Sequence, residues 1–172
     1  LLSRCETLKA EVEKSSGEVT NWPDFNELKN KLDGVALIKC CPDQIRAFVI
    51  SFGERVSVSL MQSLLSSHNA QYLEATRCVA STGGYIDAEV DLVTSKARFQ
   101  AVLKENPATI YIMPGFTASN EQGELTTLGR NGSDYSAAIA AACLDAEICQ
   151  IWTDVDGVYS ADPRYIKKAT KV

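Results

Sequence analysis

Apolar residues recur every three to four positions over the first part of the chain and then give way to short apolar runs separated by polar stretches. Leu1, Leu2, Cys5, Leu8 and Val12 fall at helical spacing, and Ser15-Ser16-Gly17 ends the pattern. A second short helix is predicted from Pro23-Asp24, with Phe25, Leu28 and Leu32 on one face and Gly34 as its stop. Pro42 opens a third, in which Ile45, Phe48, Val49 and Phe52 stand at i, i+3, i+4 and i+7. An interruption is predicted at Gly53-Glu54, with a second half running through Val56, Leu60, Met61, Leu64 and Leu65.

From residue 70 onward the period changes. The pattern predicts a strand over 70–75, a helix over 94–104 and a buried strand over 108–113, which runs into Pro114-Gly115-Phe116-Thr117. A hairpin-like stretch over 118–123 leads into Glu124-Leu125-Thr126-Thr127, followed by an alanine-rich helix over 135–144 and a strand over 148–153. Such alternation predicts an α/β fold with a mainly parallel sheet and helices on its faces. Ligands of open α/β sheets collect at the carboxyl ends of strands, so the loops after Met113, Leu128 and Thr153 are candidates for one shared crevice. The chain carries no internal repeat or low-complexity tract.

Composition narrows the picture. With 172 residues, 45% of them apolar, the chain suits one globular domain with a real core. A net charge of −5 argues against nucleic acid or an anionic membrane as the main partner, while leaving room for a local anion site. No run approaches the ~20 apolar residues of a bilayer span, and the opening residues lack the order of a signal peptide, so a cytoplasmic protein is expected. The six cysteines, Cys5, Cys40, Cys41, Cys78, Cys143 and Cys149, form no C-x-x-C pair and read as buried free thiols. His68 is the only histidine and Cys40-Cys41 is poor spacing for a tetrahedral site, so no structural zinc is expected.

Chemistry concentrates in two segments. In Gly129-Arg130-Asn131-Gly132-Ser133-Asp134, the glycines permit close backbone approach, and Ser133 or Asp134 is placed to cap the following helix. A helix N-terminus beside the Arg130 fork suits a carboxylate or phosphate. The plain alternative is a left-handed turn with a capping acid and a surface arginine. In the second segment, Thr153, Asp154 and Asp156 follow an apolar strand. They read either as a turn with two solvated acids or as groups that orient the waters of Mg2+ or bond a nucleotide. Tyr159 could stack on a base and Arg164, in Asp162-Pro163-Arg164, could meet phosphates. Glu54 reads either as a capping acid at a helix restart or as a carboxylate suited to an ammonium group.

These motifs together resemble one family. Gly115-Phe116, then Thr127-Leu128-Gly129-Arg130-Asn131-Gly132-Ser133-Asp134-Tyr135, then Trp152-Thr153-Asp154-Val155-Asp156-Gly157-Val158-Tyr159 and Asp162-Pro163-Arg164 are similar to the aspartate kinases of the amino acid kinase family. Phe52-Gly53-Glu54 resembles that family's substrate-binding G-E element, and the wording of the loops looks most like the kinase part of bifunctional aspartokinase–homoserine dehydrogenases. The resemblance implies a three-layer αβα sandwich that transfers the γ-phosphoryl of Mg-ATP to the β-carboxylate of L-aspartate, the first step toward lysine, threonine and methionine. Carried over, Glu54 holds the substrate amino group, Arg130 a substrate carboxylate with Ser133 assisting, and Asp134 organises the catalytic centre. Thr153, Asp154, Tyr159 and Arg164 contact ATP, and no residue is assigned as a direct metal ligand.

The departures from that family are equally specific. No Lys-Phe-Gly-Gly-Thr-Ser loop occurs anywhere in the chain. The expectation is therefore a helical lead-in over 1–40 and an incomplete amino acid kinase domain over 41–172, inactive by itself and belonging to a homo-oligomeric parent. The alternatives are a non-catalytic nucleotide- or amino-acid-binding or assembly module of the same fold, or a kinase of the glutamate or acetylglutamate type.

Overall fold

The computed structural model describes residues 2–152, 157, 159–162 and 164–171. Helix α1 (Leu2–Ser16) stops at Gly17, whose φ of 87° is the left-handed turn that only glycine takes without strain. Helix α2 (Phe25–Ile38) is capped by Asp24, whose Oδ1 accepts a 2.8 Å bond from the Asn26 amide, and Lys39 closes it at φ 53°. The expected stop at Gly34 is not used. Nothing crowds that glycine, and Leu28 buries its side chain on the same helix, so one residue of poor propensity does not end it.

Helix α3 (Asp43–Leu64) runs without a break for 22 residues, which corrects the interruption expected at Gly53-Glu54. Phe52 and Val56, on either side of the glycine, are buried with Leu28 in one apolar cluster that also gathers Phe25 and Phe48. The Phe25 and Phe52 rings meet edge to face with centroids 4.9 Å apart. Burying two such side chains contributes about 1.5–3 kcal/mol each. An interior glycine costs only about 0.5–1 kcal/mol. Packing therefore wins over propensity, and Glu54 sits in mid-helix rather than at a cap.

Strand β1 (Ala70–Tyr72) is shorter than predicted because residues 75–78 turn into helix α4 (Ala75–Cys78). Strands β2 (Ser81–Thr82) and β3 (Glu89–Val90) form a short antiparallel pair ahead of helix α5 (Leu92–Glu105). Strand β4 (Ile110–Ile112) lies parallel to β1, with Ala70 opposite Ile110 and Tyr72 opposite Ile112. Strands β5 (Thr117–Ser119) and β6 (Leu125–Thr127) make an antiparallel hairpin, and Ser119 is joined to residue 80 by a parallel bridge. Helix α6 (Gly132–Cys143) follows. Among the described residues the fold is thus α/β, with parallel pairing between β1 and β4 and at the bridge to Ser119, and antiparallel pairing in the β2–β3 and β5–β6 ribbons and at one isolated bridge between residues 159 and 171.

Phe99 of α5, Ile139 of α6, Val79 and Ala118 form the centre of the main core, joined by Leu73, Cys78, Val102, Leu128 and Cys143. Residues 148–152 are irregular, which corrects the strand expected over 148–153, and Thr153 lies outside the described residues. Ile148 and Trp152 are 71% and 89% exposed. An apolar run becomes a strand only when a neighbour satisfies its N–H and C=O groups, and among the described residues none lies beside it. All six thiols are free, yet only Cys78 and Cys143 are buried. Cys40, Cys41 and Cys149 are exposed because they lie in connections rather than on packed faces. Among the described residues no helix is long and apolar enough to cross a membrane.

Candidate functional site

The two loops that leave β4 and β6 meet at the start of α6, and glycines make the meeting possible. A Cβ on Gly115 would lie 3.0 Å from Ser133 Cα and 3.1 Å from its Oγ. A Cβ on Gly132 would lie 2.6 Å from the Phe116 ring and 3.1 Å from Phe116 Cα. Gly129, at φ 73°, lies so close to Asp87 that a side chain there would overlap the carboxylate. These approaches bring the 114–116 loop, the 129–134 loop and the Asp87 turn together. Two of the three loops expected to share a crevice are therefore in contact.

Hydrogen bonds lock that arrangement. The Leu128 amide donates to the Phe116 carbonyl at 2.9 Å, and the Phe116 amide donates to Ser136 Oγ at 2.8 Å. Ser136, buried on the second turn of α6, donates in turn to the Gly132 carbonyl at 2.8 Å. Phe116 adopts φ 67°, a conformation costly for a bulky residue, and is held in it by bonds at both its amide and its carbonyl. The Ala88 amide donates to the Thr127 carbonyl and the Thr127 amide to the Tyr85 carbonyl, each at 2.8 Å, which fixes the Asp87 turn beside Gly129.

Helix α6 begins at Gly132 with Asn131 as its left-handed N-cap at φ 57°, and no side chain caps it. This corrects the expectation that Ser133 or Asp134 would be the cap. Both lie inside the first turn and are exposed, as is Arg130 just before the helix. The Gly132 amide donates to the Gly129 carbonyl at 3.2 Å, so the Ser133 and Asp134 amides, on exposed residues that follow Arg130, are what the first turn can offer an anion such as a carboxylate or phosphate. Asp134 is the acidic residue of that first turn.

Glu54 is half-buried in the middle of α3, and burial pushes its carboxyl above the usual range. Helix α3 packs against β1, β4 and β6. Arg55, next to Glu54, acts on Tyr72, the last residue of β1, whose hydroxyl donates to Glu74 Oε2 at 3.2 Å. Burial, then the Glu74 charge, drives the Tyr72 phenol far above its ordinary value.

Tyr159 and Arg164 stand in a separate segment. Tyr159 pairs with Lys171 in an antiparallel bridge, and the Ser160 amide donates to the Thr170 carbonyl at 2.9 Å. The Arg164 guanidinium forks onto Asp162, with Nε 3.2 Å from Oδ1 and a terminal nitrogen 3.0 Å from Oδ2, which holds the Asp162 carboxyl below the usual range. Thr153, Asp154 and Asp156 lie outside the described residues. Of the proposed site residues, Arg130, Ser133 and Asp134 stand at the start of α6, and Glu54 stands on α3. Sequence reading missed Ser136 and Asp87 as parts of this arrangement. Ser136 sits four residues after Gly132, the spacing at which a serine hydroxyl reaches back to a helix carbonyl. Nothing in the sequence places Asp87 against Gly129.

Known proteins share this sequence and arrangement. The sequence profile of the amino acid kinase family matches residues 6–172. A bifunctional aspartokinase/homoserine dehydrogenase of Buchnera aphidicola is 48% identical over 149 residues, covering 85% of this chain and 18% of that protein. The protein of the same description from Haemophilus influenzae is 38% identical over 150 residues, again covering 85% of this chain and 18% of the relative. Less than a fifth of either relative's length is thus represented here. The crystal structure of E. coli aspartokinase III in complex with aspartate and ADP superposes with a TM-score of 0.72 at 27% identity, covering 98% of this chain and 40% of that one. A profile match over nearly the whole length, joined to the same helix and sheet arrangement, establishes that the chain belongs to the amino acid kinase family.

Proposed function

We propose that this chain supplies the aspartate side of an aspartate kinase, whose whole protein transfers the γ-phosphoryl of ATP to the β-carboxylate of L-aspartate and yields 4-phospho-L-aspartate. The observation that carries this reading is the uncapped start of α6, with Arg130, Ser133 and Asp134 exposed around it and the glycine-mediated contact with the 114–116 loop behind it. The attacking carboxylate is ionised at neutral pH, since its pKa is near ~3.9, so no base is needed. The difficulty is bringing one anion to another, and phosphoryl transfer is accelerated by positioning and charge neutralisation. Arg130 and the amides of α6 receive a substrate carboxylate, Ser133 assists, and Asp134 organises the reacting centre. Glu54 holds the ammonium group, and a binding cation would draw its raised pKa back down.

On this reading Thr153, Asp154, Tyr159 and Arg164 contact ATP. The Arg164 fork is spent on Asp162 here, and exposed pairs of this kind exchange readily for a phosphate. When bound, Mg2+ would neutralise phosphate charge, and Asp154 and Asp156 would orient its waters. The whole protein is expected to be a homo-oligomer that works in the cytoplasm at the head of lysine, threonine and methionine synthesis. Relatedness to the bifunctional proteins supports a homoserine dehydrogenase partner domain.

The test uses the intact protein that contains this chain. Arg130→Ala should raise the aspartate concentration needed for half-maximal aspartyl phosphate formation by tenfold or more, with the ATP requirement changed by less than threefold. Equal effects on both substrates, or phosphorylation of glutamate or acetylglutamate in preference to aspartate, would overturn the assignment.

A further inference from the structure

The loop between α2 and α3 presents two adjacent thiols that the proposed kinase chemistry does not use. Cys40 and Cys41 are both free and both exposed, and they follow Lys39 at its left-handed φ of 53°. The other thiols are differently placed: Cys78 and Cys143 are buried, with burial pushing Cys78 up to about 12, and Cys149 is exposed but stands apart in sequence. Cys5 is half-buried along the apolar groove lined by Leu8, Phe25 and Phe52.

Adjacency decides what such a pair can bind. No peptide bond among the described residues is cis, so the Cα atoms of Cys40 and Cys41 are separated by the usual ~3.8 Å of a trans peptide. Ordinary disulfides need a Cα separation of about 4.4–6.8 Å, so direct closure of this pair is strained and the dithiol state is favoured. A thiophilic atom inserted between the two sulfurs lengthens the bridge and removes that strain. Two thiols are too few for a tetrahedral zinc site but suffice for a soft centre that takes two sulfur ligands and keeps one organic substituent.

We propose that Cys40 and Cys41 form a chelating vicinal-dithiol site for a monosubstituted trivalent arsenical. The hydrated arsenical, RAs(OH)2, exchanges both hydroxyls for the two sulfurs. Two As–S bonds form, two As–O bonds and two S–H bonds break, and two waters leave with the thiol protons. Arsenic remains trivalent and no oxidant or reductant takes part. Chelation distinguishes this site from Cys149, where one sulfur can displace only one hydroxyl and the adduct exchanges freely with solvent thiols.

The test titrates the full chain with phenylarsine oxide in phosphine-reduced buffer, reading the adduct by intact mass. One arsenical per chain is expected, stable to excess monothiol and removed by a dithiol. Cys149→Ser should leave that adduct unchanged, while Cys40→Ser and Cys41→Ser should each weaken it at least tenfold. Circular dichroism of each variant checks that the fold is retained, and peptide mapping of the wild-type adduct gives a readout independent of any variant. An adduct mapped to another cysteine, one that survives either serine substitution, or one lost to monothiol would overturn the proposal.

Discussion

Replacing Gly132 by alanine tests whether the contact between the two loops sets the position of α6. The added Cβ would stand 2.6 Å from a Phe116 ring carbon, 3.1 Å from Phe116 Cα and 3.4 Å from Leu128 Cβ. The first contact requires movement, and Phe116 has little freedom to give it, because its amide is bonded to Ser136 and its carbonyl to Leu128. Overpacking of this kind costs about 1–3 kcal/mol. Alanine recovers about 0.5–1 kcal/mol of backbone entropy relative to glycine in a helix. At the centre of both ranges the expected net loss is about 1 kcal/mol, which at a urea slope of ~2 kcal/mol/M lowers the midpoint by about 0.5 M. Because the shortest contact is with the ring, the same substitution in a Phe116→Ala background should lose less than half as much. A double-mutant cycle by urea unfolding, followed by circular dichroism, measures that coupling at no less than about 0.5 kcal/mol. A Gly132→Ala chain as stable as the wild type, or one whose penalty is the same with and without the Phe116 ring, would refute the reasoning.

Ser136→Ala leaves the Phe116 amide without its acceptor in a partly buried site and should destabilise the chain by about 1–2 kcal/mol, measured by the same unfolding. Glu54→Gln should stabilise the chain at neutral pH. The folded carboxyl titrates above its unfolded value, so the native state binds more protons, and stability is lost as pH rises through the unfolded and then the folded pKa. The variant's advantage should therefore disappear below about pH 4, where both forms are neutral, and an advantage that persists there would count against burial as the cause. Gly34→Ala, inside α2 with open space around the new methyl, should raise stability by about 0.5–1 kcal/mol, which a thermal melt would register.

The sequence by itself determined most of the long elements, since apolar spacing distinguishes period 3.6 from short buried runs and leads to α1, α2, α5, α6, the hairpin region of β5–β6 and, but for the break expected at Gly53, α3, while α4 and the β2–β3 pair left no such signal. It also displays the candidate chemistry, because Gly129-Arg130-Asn131-Gly132-Ser133-Asp134 is a local motif whose backbone freedom and charge are written in consecutive residues. Tertiary structure decided what local signals mis-stated. Gly34 and Gly53 look like helix stops, yet burial of Leu28, Phe52 and Val56 outweighs the propensity of one glycine. Residues 148–152 have the composition of a strand but no neighbour among the described residues to bond, so they remain irregular. Ser133 and Asp134 have the identities of caps, but the left-handed Asn131 starts α6 ahead of them and leaves both exposed around its amides. The approach of Gly115 to Ser133, and of Gly129 to Asp87, joins residues distant in the chain. No spacing rule encodes such contacts, because they depend on where two separately formed elements come to pack.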